Sequence, residues 1–371
     1  MYPYWILAFI FIFLCVIDIY ATGKNSKIIK TYIFFIAVTM LIVFAGIRGD
    51  GTGKDDLMYR DSFVQIVQNH HVLSLAQTIP IYKYEPLTTM LMYYIAYLTS
   101  NPSVFFLIYA FLTVSINAYT YKKFSNHYLT ALAIYSSYIF IMKDLNQIRF
   151  GLSSSLFVLF LCLLHNNKIK SSIAIILSIT AHLTAMAGLI MVPLRKVSQS
   201  KKLPYLIILI SLPLGLIGGK HLFSSIFSYL PGAVNGYLNN SPDDASELSG
   251  GILSLINIKN FIFLVLFLYV WENDKDNNNN SLFYFLTLCF TIGISIRIVF
   301  SDFSVIGGRV SLLFLQVEPL LLAMTLSKIR IKKIYSLIFI LFICTYYYYH
   351  DTIQRSDYIF GYSISEDAKI I

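Results

Sequence analysis

Arg149 is the side chain in this sequence with the most evident potential for chemistry, because it lies between two apolar stretches of membrane-spanning quality. A guanidinium cannot lose its charge by releasing a proton. In or beside hydrocarbon it is costly, so it normally faces an interior cavity and an anionic partner. Arg48, Arg297 and Arg309 occupy comparable edges or interiors of apolar stretches. Together they predict a membrane-embedded site for a charged ligand, and phosphate suits a guanidinium well.

Two of these arginines also have a simpler explanation. Arg297 lies only a few residues from the end of its apolar stretch, so its side chain could extend to the lipid headgroups. Arg309 follows Gly307-Gly308 at a predicted helix start, where a cation opposes the helix dipole. That position favours a separate anionic partner for Arg309, and phosphate and headgroup contact both remain open.

His182 lies centrally in an apolar segment, residues 172–194. Imidazole is the usual general base near neutral pH, and polar side chains inside a membrane are functional hypotheses by default. The simpler alternative is a histidine that only forms a hydrogen bond between packed helices. We expect His182 to be the catalytic base or a substrate contact, with Asp55 as the second choice for the base.

A glycine-rich loop follows the second apolar stretch, over residues 48–63. Glycine lets backbone amides approach a ligand closely. Asp55, Tyr59 and Phe63 recur at intervals of one helical turn, which places them on one helix face. A capped surface loop explains this pattern equally well. Glu85 directly precedes a proline at a predicted helix start, where an acidic side chain suits capping.

The composition identifies the chain as an integral membrane protein. Of its 371 residues 57% are hydrophobic and only 13% are charged, with a mean hydropathy of +0.68, whereas a soluble domain carries about a quarter charged residues. The net charge of +9 indicates no nucleic-acid partner, because the lysines cluster between apolar stretches, where they set topology and meet anionic headgroups. The four cysteines lie singly inside apolar stretches, and the acidic pair Asp243-Asp244 alone is weak evidence for a metal. We expect no disulfide, metal or cofactor.

An apolar run of about 20 residues spans the hydrocarbon core. The pattern therefore predicts an all-α polytopic fold with about 10–12 transmembrane helices, some re-entrant, in one membrane domain over residues 1–371. The candidate segments are residues 4–19, 31–47, 86–98, 104–121, 128–142, 148–164, 172–194, 204–218, 252–271, 282–300, 310–327 and 334–349.

Basic residues in short loops mark the cytoplasmic side of a membrane. The three most basic loops, around Lys27, Lys201 and Lys332, are expected there. Simple alternation then places three long polar segments on the outer side: residues 48–85, residues 219–251 and the tail after His350. We expect the two loops among them to carry short helices.

The same alternation conflicts with other lysines, because it would put Lys122 and Lys168 outside and Arg149 inside. If residues 86–98 and half of residues 172–194 are re-entrant, these lysines become cytoplasmic and Arg149 faces outward. The re-entrant version agrees better with the distribution of charge, and we prefer it.

In order and rough spacing, these residues resemble the EpsG-like branch of the bacterial O-antigen and capsular polysaccharide polymerases, the Wzy class. The resemblance runs from the first outer loop to near the C-terminus. One departure is that the family's Gly-Thr-Asp reads Gly-Lys-Asp here, which makes the role of Asp55 less secure. The matching elements are Arg48, Gly53-Lys54-Asp55, Tyr59-x-x-x-Phe63, Glu85-Pro86, Asn146-Gln147-Ile148-Arg149, His182 and Gly308-Arg309.

The resemblance implies a glycosyltransferase in the bacterial inner membrane, with its active site facing the periplasm. It would transfer a growing glycan from undecaprenyl diphosphate to the terminal sugar of a new undecaprenyl-diphosphate-linked repeat unit. The expected partners are this lipid-linked oligosaccharide donor and acceptor, membrane lipids, a chain-length regulator and a repeat-unit flippase.

Fixed cations near a departing diphosphate stabilise charge where it develops. We therefore expect Arg149, with Arg48 and Arg309, to clamp the diphosphate, so that no metal is required. The catalytic set is His182, Asp55 and Arg149. The substrate-binding set comprises Arg48, Arg309, Arg297, Tyr59, Glu85, Asn146, Gln147 and Tyr237, of which the two tyrosines are expected to stack on sugar rings.

Two other functions remain open. An O-antigen ligase differs only in its acceptor, so the residues do not separate it from a polymerase. A flippase or secondary transporter of lipid-linked oligosaccharides would also carry intramembrane arginines. Transporters, however, commonly show repeated halves, and no internal repeat is obvious in this sequence.

Overall fold

The computed structural model describes residues 4–21, 23, 25–82, 84–219, 221–222, 252, 254–273, 281–303, 305–329, 331–350, 352 and 361–370. These residues form helices joined by turns, with an isolated bridge between Arg48 and Ile364. The predicted all-α fold is confirmed. The chain divides into two compact units, Met1–Leu183 with Leu322–Ile371, and Thr184–Leu321. The single integrated domain stays a prediction.

The helices of the first unit differ greatly in length. The longer ones are apolar, whereas those that follow Arg48 are short. They are α1 Tyr4–Tyr20, α2 Ser26–Gly46, α3 Asp56–Asn69, α4 Leu75–Tyr82, α5 Pro86–Ala96, α6 Pro102–Phe124, α7 Tyr128–Ile134, which continues as the π-helix Tyr135–Asp144, α8 Ile148–Leu163 and α9 Lys168–Ala181. A later helix, Lys333–Tyr349, and the 3-10 turn Asp367–Ile370 also belong to this unit.

The second unit is built around one deeply buried helix. Its elements are the 3-10 helix Leu183–Ile190, α10 Met191–Leu194, the 3-10 turn Arg195–Val197, α11 Lys202–Ile217, α12 Leu255–Glu272, α13 Ser281–Val299, the π-helix Val305–Val310 and α14 Ser311–Leu315. The next helix, α15 Glu318–Lys328, begins in the second unit and ends in the first. The helix Lys333–Tyr349 of the first unit is α16. Helix α13 packs against α11, α12 and α14.

Five helices within the described ranges are long and apolar enough to span a membrane. They are Ser26–Gly46, Pro102–Phe124, Leu255–Glu272, Ser281–Val299 and Gly307–Lys328, and shorter apolar helices accompany them at Tyr4–Tyr20, Ile148–Leu164, Lys202–Ile217 and Lys333–Tyr349. The chain is therefore a multi-pass membrane protein. Its four cysteines are buried and free, as expected.

One end of the first unit is defined by Asp18, which lies close to the C-terminus of α1. Its buried carboxylate accepts hydrogen bonds from Lys30 at 3.2 Å and from the Thr130 hydroxyl at 2.7 Å, so α2 and α7 both begin here. The ammonium of Lys122 lies 4.3 Å from the ring centroid of Phe35, so α6 ends on this side. We call this side the Asp18 end.

The opposite end of the same unit carries Arg149, and we call it the Arg149 end. Helix α6 starts here, because Phe106 packs against Arg48 after the end of α2. Helix α8 starts here and α9 returns here, since Ser171 bonds to the Phe160 carbonyl and Ser178 to the Ser153 carbonyl in antiparallel order.

Helix α5 does not cross the unit. Glu85, at its start, contacts Arg149, and Asn101 leads from its far end directly into α6 at the Arg149 end. Residues 86–98 therefore begin and end at the same end of the unit, and their re-entrant insertion into the membrane stays a prediction. Lys122 and Lys168 lie at the Asp18 end with Lys30, and the cytoplasmic position expected for these lysines stays a prediction.

Candidate functional site

Arg48, expected to clamp a diphosphate, forms a buried ion pair instead. Its Nη2 lies 2.9 Å from Oδ1 of Asp56, its Nε lies 3.1 Å from each oxygen of that carboxylate, and its Nη1 donates to the Ala45 carbonyl at 2.5 Å. The guanidinium also stacks on the ring of Phe106, at 4.5 Å from its centroid. All three of its nitrogens bond to protein groups and its side chain is buried, so Arg48 fixes the glycine-rich loop that follows it. This geometry does not favour the role of a diphosphate clamp that was expected for Arg48.

The glycine-rich loop packs closely against other parts of the protein. The Gly53 amide donates to Asp56 at 2.7 Å, and a Cβ at Gly53 would collide with the Leu145 carbonyl oxygen. The Lys54 amide donates to the side-chain oxygen of buried Asn146 at 3.0 Å. The remaining side-chain group of Asn146 donates to a carbonyl of the π-helix. Asn146, placed in the substrate-binding set by sequence, therefore joins this loop to the start of α8.

Arg149 projects from the first turn of α8 into a half-exposed polar cluster. Its Nε donates to the Tyr59 hydroxyl at 2.9 Å, and its Nη1 donates to a carboxylate oxygen of Glu85. The guanidinium lies 4.9 Å from the ring centroid of Tyr84. Nη2 makes no hydrogen bond within the described residues. Because the side chain is 22% exposed, this nitrogen can donate a hydrogen bond to a further anionic partner.

Glu85 links Arg149 to His182. One carboxylate oxygen pairs with Arg149, and the other lies 3.9 Å from Nε2 of His182. The carboxylate does not cap α5, although Glu85 occupies the N-cap position, so the capping role expected for it is wrong. Asp144, the nearest acidic residue in sequence, accepts a hydrogen bond from Tyr135 instead.

His182 ends helix α9 rather than lying in the middle of a helix. Its backbone is extended, with φ −161° and ψ 126°, and its ring packs on Phe150 at 5.4 Å between centroids. The side chain is 15% exposed. The helix break therefore turns the imidazole toward Glu85 at the Arg149 end, which corrects the expected central position.

Tyr59 is positioned to orient Arg149, and its ring is too buried to stack on a sugar. The residue is 1% exposed, and its ring lies 5.7 Å from that of Tyr84. Burial raises the pKa of Tyr59 to about 12; the charge of Arg149 opposes this rise, and that of Asp55 adds to it. The phenol is therefore neutral over the physiological range and accepts the Arg149 hydrogen bond.

Tyr84 was missed by the sequence reasoning. Its hydroxyl lies 2.8 Å from the Ser62 hydroxyl, and its ring stacks against Arg149. Its position directly before Glu85 is the signal that was available.

Asp55 is half-buried at the N-cap position of α3, but its side chain does not cap the helix. Burial is the largest cause that raises the pKa of Tyr84, and the nearby charge of Asp55 raises it further. Gln147 is half-buried at the N-cap of α8.

The remaining predicted residues belong to the second unit. Arg297 is buried on α13, so it does not extend to the headgroups. Arg309 is half-buried within the π-helix Val305–Val310. Tyr237 lies outside the described residues. The ligand-binding roles of these three residues stay predictions.

The fold and the cluster define a polytopic α-helical membrane protein with a half-exposed arginine, carboxylate and histidine at one end of its first unit. The chain belongs to the EpsG family, whose sequence model matches residues 31–364. It is 35% identical over 372 residues to the amylovoran biosynthesis protein AmsC of Erwinia amylovora, covering 98% of this chain and 97% of that protein. No solved structure matches.

Proposed function

We propose that this protein is a glycosyltransferase that polymerises a bacterial surface polysaccharide. The donor is a glycan on undecaprenyl diphosphate, and the acceptor is the terminal sugar of a second lipid-linked repeat unit. Membership of the EpsG family supports this proposal, as does the relative named for amylovoran biosynthesis. The proposed partners beyond these substrates are membrane lipids, a repeat-unit flippase and a chain-length regulator.

One observation carries the proposal, namely the geometry of Arg149. Two of its nitrogens are fixed by Tyr59 and Glu85, while Nη2 has no hydrogen bond within the described residues. A guanidinium that is permanently charged, held in one orientation and still able to donate hydrogen bonds suits a phosphate oxygen. Because it is already oriented, little reorganisation accompanies the departure of a diphosphate.

Each polar group near Arg149 has a role in the proposed reaction. The hydroxyl oxygen of the acceptor sugar attacks the anomeric carbon, and the bond from that carbon to the diphosphate oxygen breaks. The electron pair leaves with the diphosphate, whose added negative charge Arg149 stabilises. The hydroxyl proton passes to His182, and Glu85, 3.9 Å from Nε2, stabilises the resulting imidazolium. Asp55 is the alternative base.

The distribution of charge supports an outward-facing site. Exposed lysines lie at the Asp18 end, at Lys122, Lys123, Lys168 and Lys170, and basic loops favour the cytoplasmic side. The Arg149 end is then periplasmic in the inner membrane, where lipid-linked sugars are available after flipping. Arg309, Arg297, Gln147 and Tyr237 are proposed as further substrate contacts.

The test uses purified protein with a lipid-diphosphate-linked repeat unit and gel separation of the products. We expect Arg149→Ala to be expressed normally and to extend no chains, whereas Lys196→Ala, which removes an exposed cation from a basic loop, behaves like the natural protein. His182→Gln should bind donor but extend it about a hundredfold to ten-thousandfold more slowly. Normal ladders from Arg149→Ala would refute the proposal.

A strain lacking the gene distinguishes the neighbouring functions. Lipopolysaccharide or capsule with single repeat units supports a polymerase, whereas unsubstituted lipid A-core indicates a ligase. Translocation of the lipid-linked sugar in vesicles, without formation of a glycosidic bond, would indicate a transporter instead.

A further inference from the structure

Residues 361–370, which we call the strap, pack against the loop that leads to Tyr59. The Gly49 amide donates to the Ser363 carbonyl at 2.7 Å, and the Ser365 amide donates to the Ile47 carbonyl at 2.9 Å. These two bonds flank the bridge between Arg48 and Ile364. The strap thus fixes the backbone on both sides of Arg48.

Side chains attach the strap to two further elements. Nη2 of Arg60 donates to the Ser365 hydroxyl at 2.9 Å, and Arg60 also forms ion pairs with Asp367 and Asp50. The Asn101 amide donates to the Asp367 carbonyl at 2.8 Å, immediately before α6. The strap therefore connects α3 to the start of α6.

A third attachment lies at the beginning of the strap. The hydroxyl of Tyr362 donates to the Phe44 carbonyl at 2.8 Å, and the two rings stack with centroids 4.3 Å apart. Helix α2 is thereby held at its C-terminal end. Three elements that are separate in sequence, α2, α3 and α6, meet on one segment that contributes no residue to the Arg149 cluster.

The strap acts next to Tyr59 in the chain. Arg60 follows Tyr59 on α3, and Tyr59 fixes the Nε of Arg149. Other contacts keep α3 in the fold without the strap, since Arg48 pairs with Asp56 and the ring of Phe63 stacks on Phe105 at 5.7 Å. Loss of the strap should therefore displace the loop and α3 slightly rather than unfold the unit.

We infer that the strap is a positioning element for the Arg149 site, with Arg60 and Asp367 as positioning residues. This inference rests on the proposed function. A misplacement of about 1 Å in a catalytic group can cost on the order of a hundredfold in rate. Ser365 and Asp367 lie beyond the residues that the family model matches.

The experiment removes contacts of the strap and measures two quantities, the rate of thiol labelling and the rate of chain extension. Ser365→Pro with Asp367→Ala removes the amide donor to Ile47 and the carboxylate on Arg60. Glu366→Ala is the matched control, because it removes an exposed carboxylate from the same segment without touching Arg60. All variants carry Thr52→Cys, which places a thiol at a fully buried loop position whose hydroxyl makes no hydrogen bond to the residues that the structure describes.

We expect a water-soluble maleimide to label the thiol about tenfold faster in the strap variant, because the loop opens more often. Chain extension should fall by about tenfold or more, with a lower kcat and an unchanged yield of folded protein. The Glu366→Ala protein should match the parent in both rates.

The inference and the proposed function fail in different ways. A strap variant with unchanged labelling, or with faster labelling but normal chain extension, overturns the inference and leaves the proposed function standing. Normal extension by Arg149→Ala overturns the proposed function whatever the strap variant does.

Discussion

Glu85 and Arg149 lie 64 residues apart in sequence and form an ion pair in the candidate site. The pair explains how a permanent cation is accommodated beside apolar helices. It also limits how the cation acts, because Glu85 neutralises Arg149 in the absence of ligand. A bound diphosphate therefore shares Arg149 with Glu85, while the opposite carboxylate oxygen faces His182.

The first prediction concerns Glu85→Gln, which keeps the side-chain size and removes the charge. Arg149 loses a fixed partner and His182 loses the carboxylate that stabilises its protonated form. We expect kcat for chain extension to fall at least tenfold, while KM for the lipid-linked donor does not rise, since the phosphate no longer competes with a carboxylate. Initial rates over a range of donor concentrations measure both values.

The control for this substitution is Glu366→Gln, which changes the same group at an exposed position. If Glu85→Gln retains the kcat of the natural protein, Glu85 has no part in the reaction and the assignment is wrong.

The second prediction concerns Arg48→Ala, which should destabilise the protein rather than inactivate a folded one. The substitution leaves the Asp56 carboxylate buried and unpaired, a change that costs about 3–5 kcal/mol. We expect a low yield and a lower melting temperature in detergent, whereas Arg149→Ala keeps both. A stable Arg48→Ala protein without activity would instead restore the diphosphate-clamp role.

The third prediction is a pH dependence that arises from Tyr59. Its pKa in the folded protein is about 12, and its pKa in the unfolded chain is about 10. The unfolded chain therefore loses this proton first as pH rises, so the stabilising contribution is complete below pH 10 and is lost between about pH 10 and 12.

Tyr59→Phe isolates this contribution from those of the other tyrosines. We expect the natural protein to melt at a higher temperature than Tyr59→Phe at pH 8, because the Arg149 hydrogen bond is intact. At pH 11 the difference in free energy of unfolding between the two proteins should be about 1.4 kcal/mol smaller than at pH 8. An advantage that stays constant over this range would mean that Tyr59 titrates normally.

The fourth prediction concerns the topology of the first unit. Single cysteines at exposed positions Lys54, Lys123 and Lys170 are labelled with a membrane-impermeant maleimide in intact spheroplasts, with little background because the natural cysteines are buried. We expect label at position 54 only. Label at position 123 or 170 would place the Asp18 end outside and overturn the outward-facing site.

The membrane fold and part of the site could be predicted from sequence because each depends on local patterns. Apolar runs predict helices regardless of their partners, and the conflict among lysine loops singled out residues 86–98, which do not cross the first unit. Arg149 and His182 stood out because charged or polar side chains are rare in such runs.

The partners of these residues could not be predicted, because they depend on contacts between distant parts of the chain. Arg48 and Arg149 both lie at the edge of an apolar run, yet one is sealed by Asp56 and the other is half-exposed. Glu85 resembled a helix cap because its position before a proline is a local signal, whereas its pairing with Arg149 depends on how α5 folds back.

The most direct test of the central claim is an experimental structure of the protein with a lipid-diphosphate-linked sugar bound. We expect a phosphate oxygen within about 2.7–2.9 Å of Nη2 of Arg149, with Tyr59 and Glu85 still holding the other nitrogens. A diphosphate bound away from Arg149, with that side chain in contact only with protein and lipid, would contradict the account.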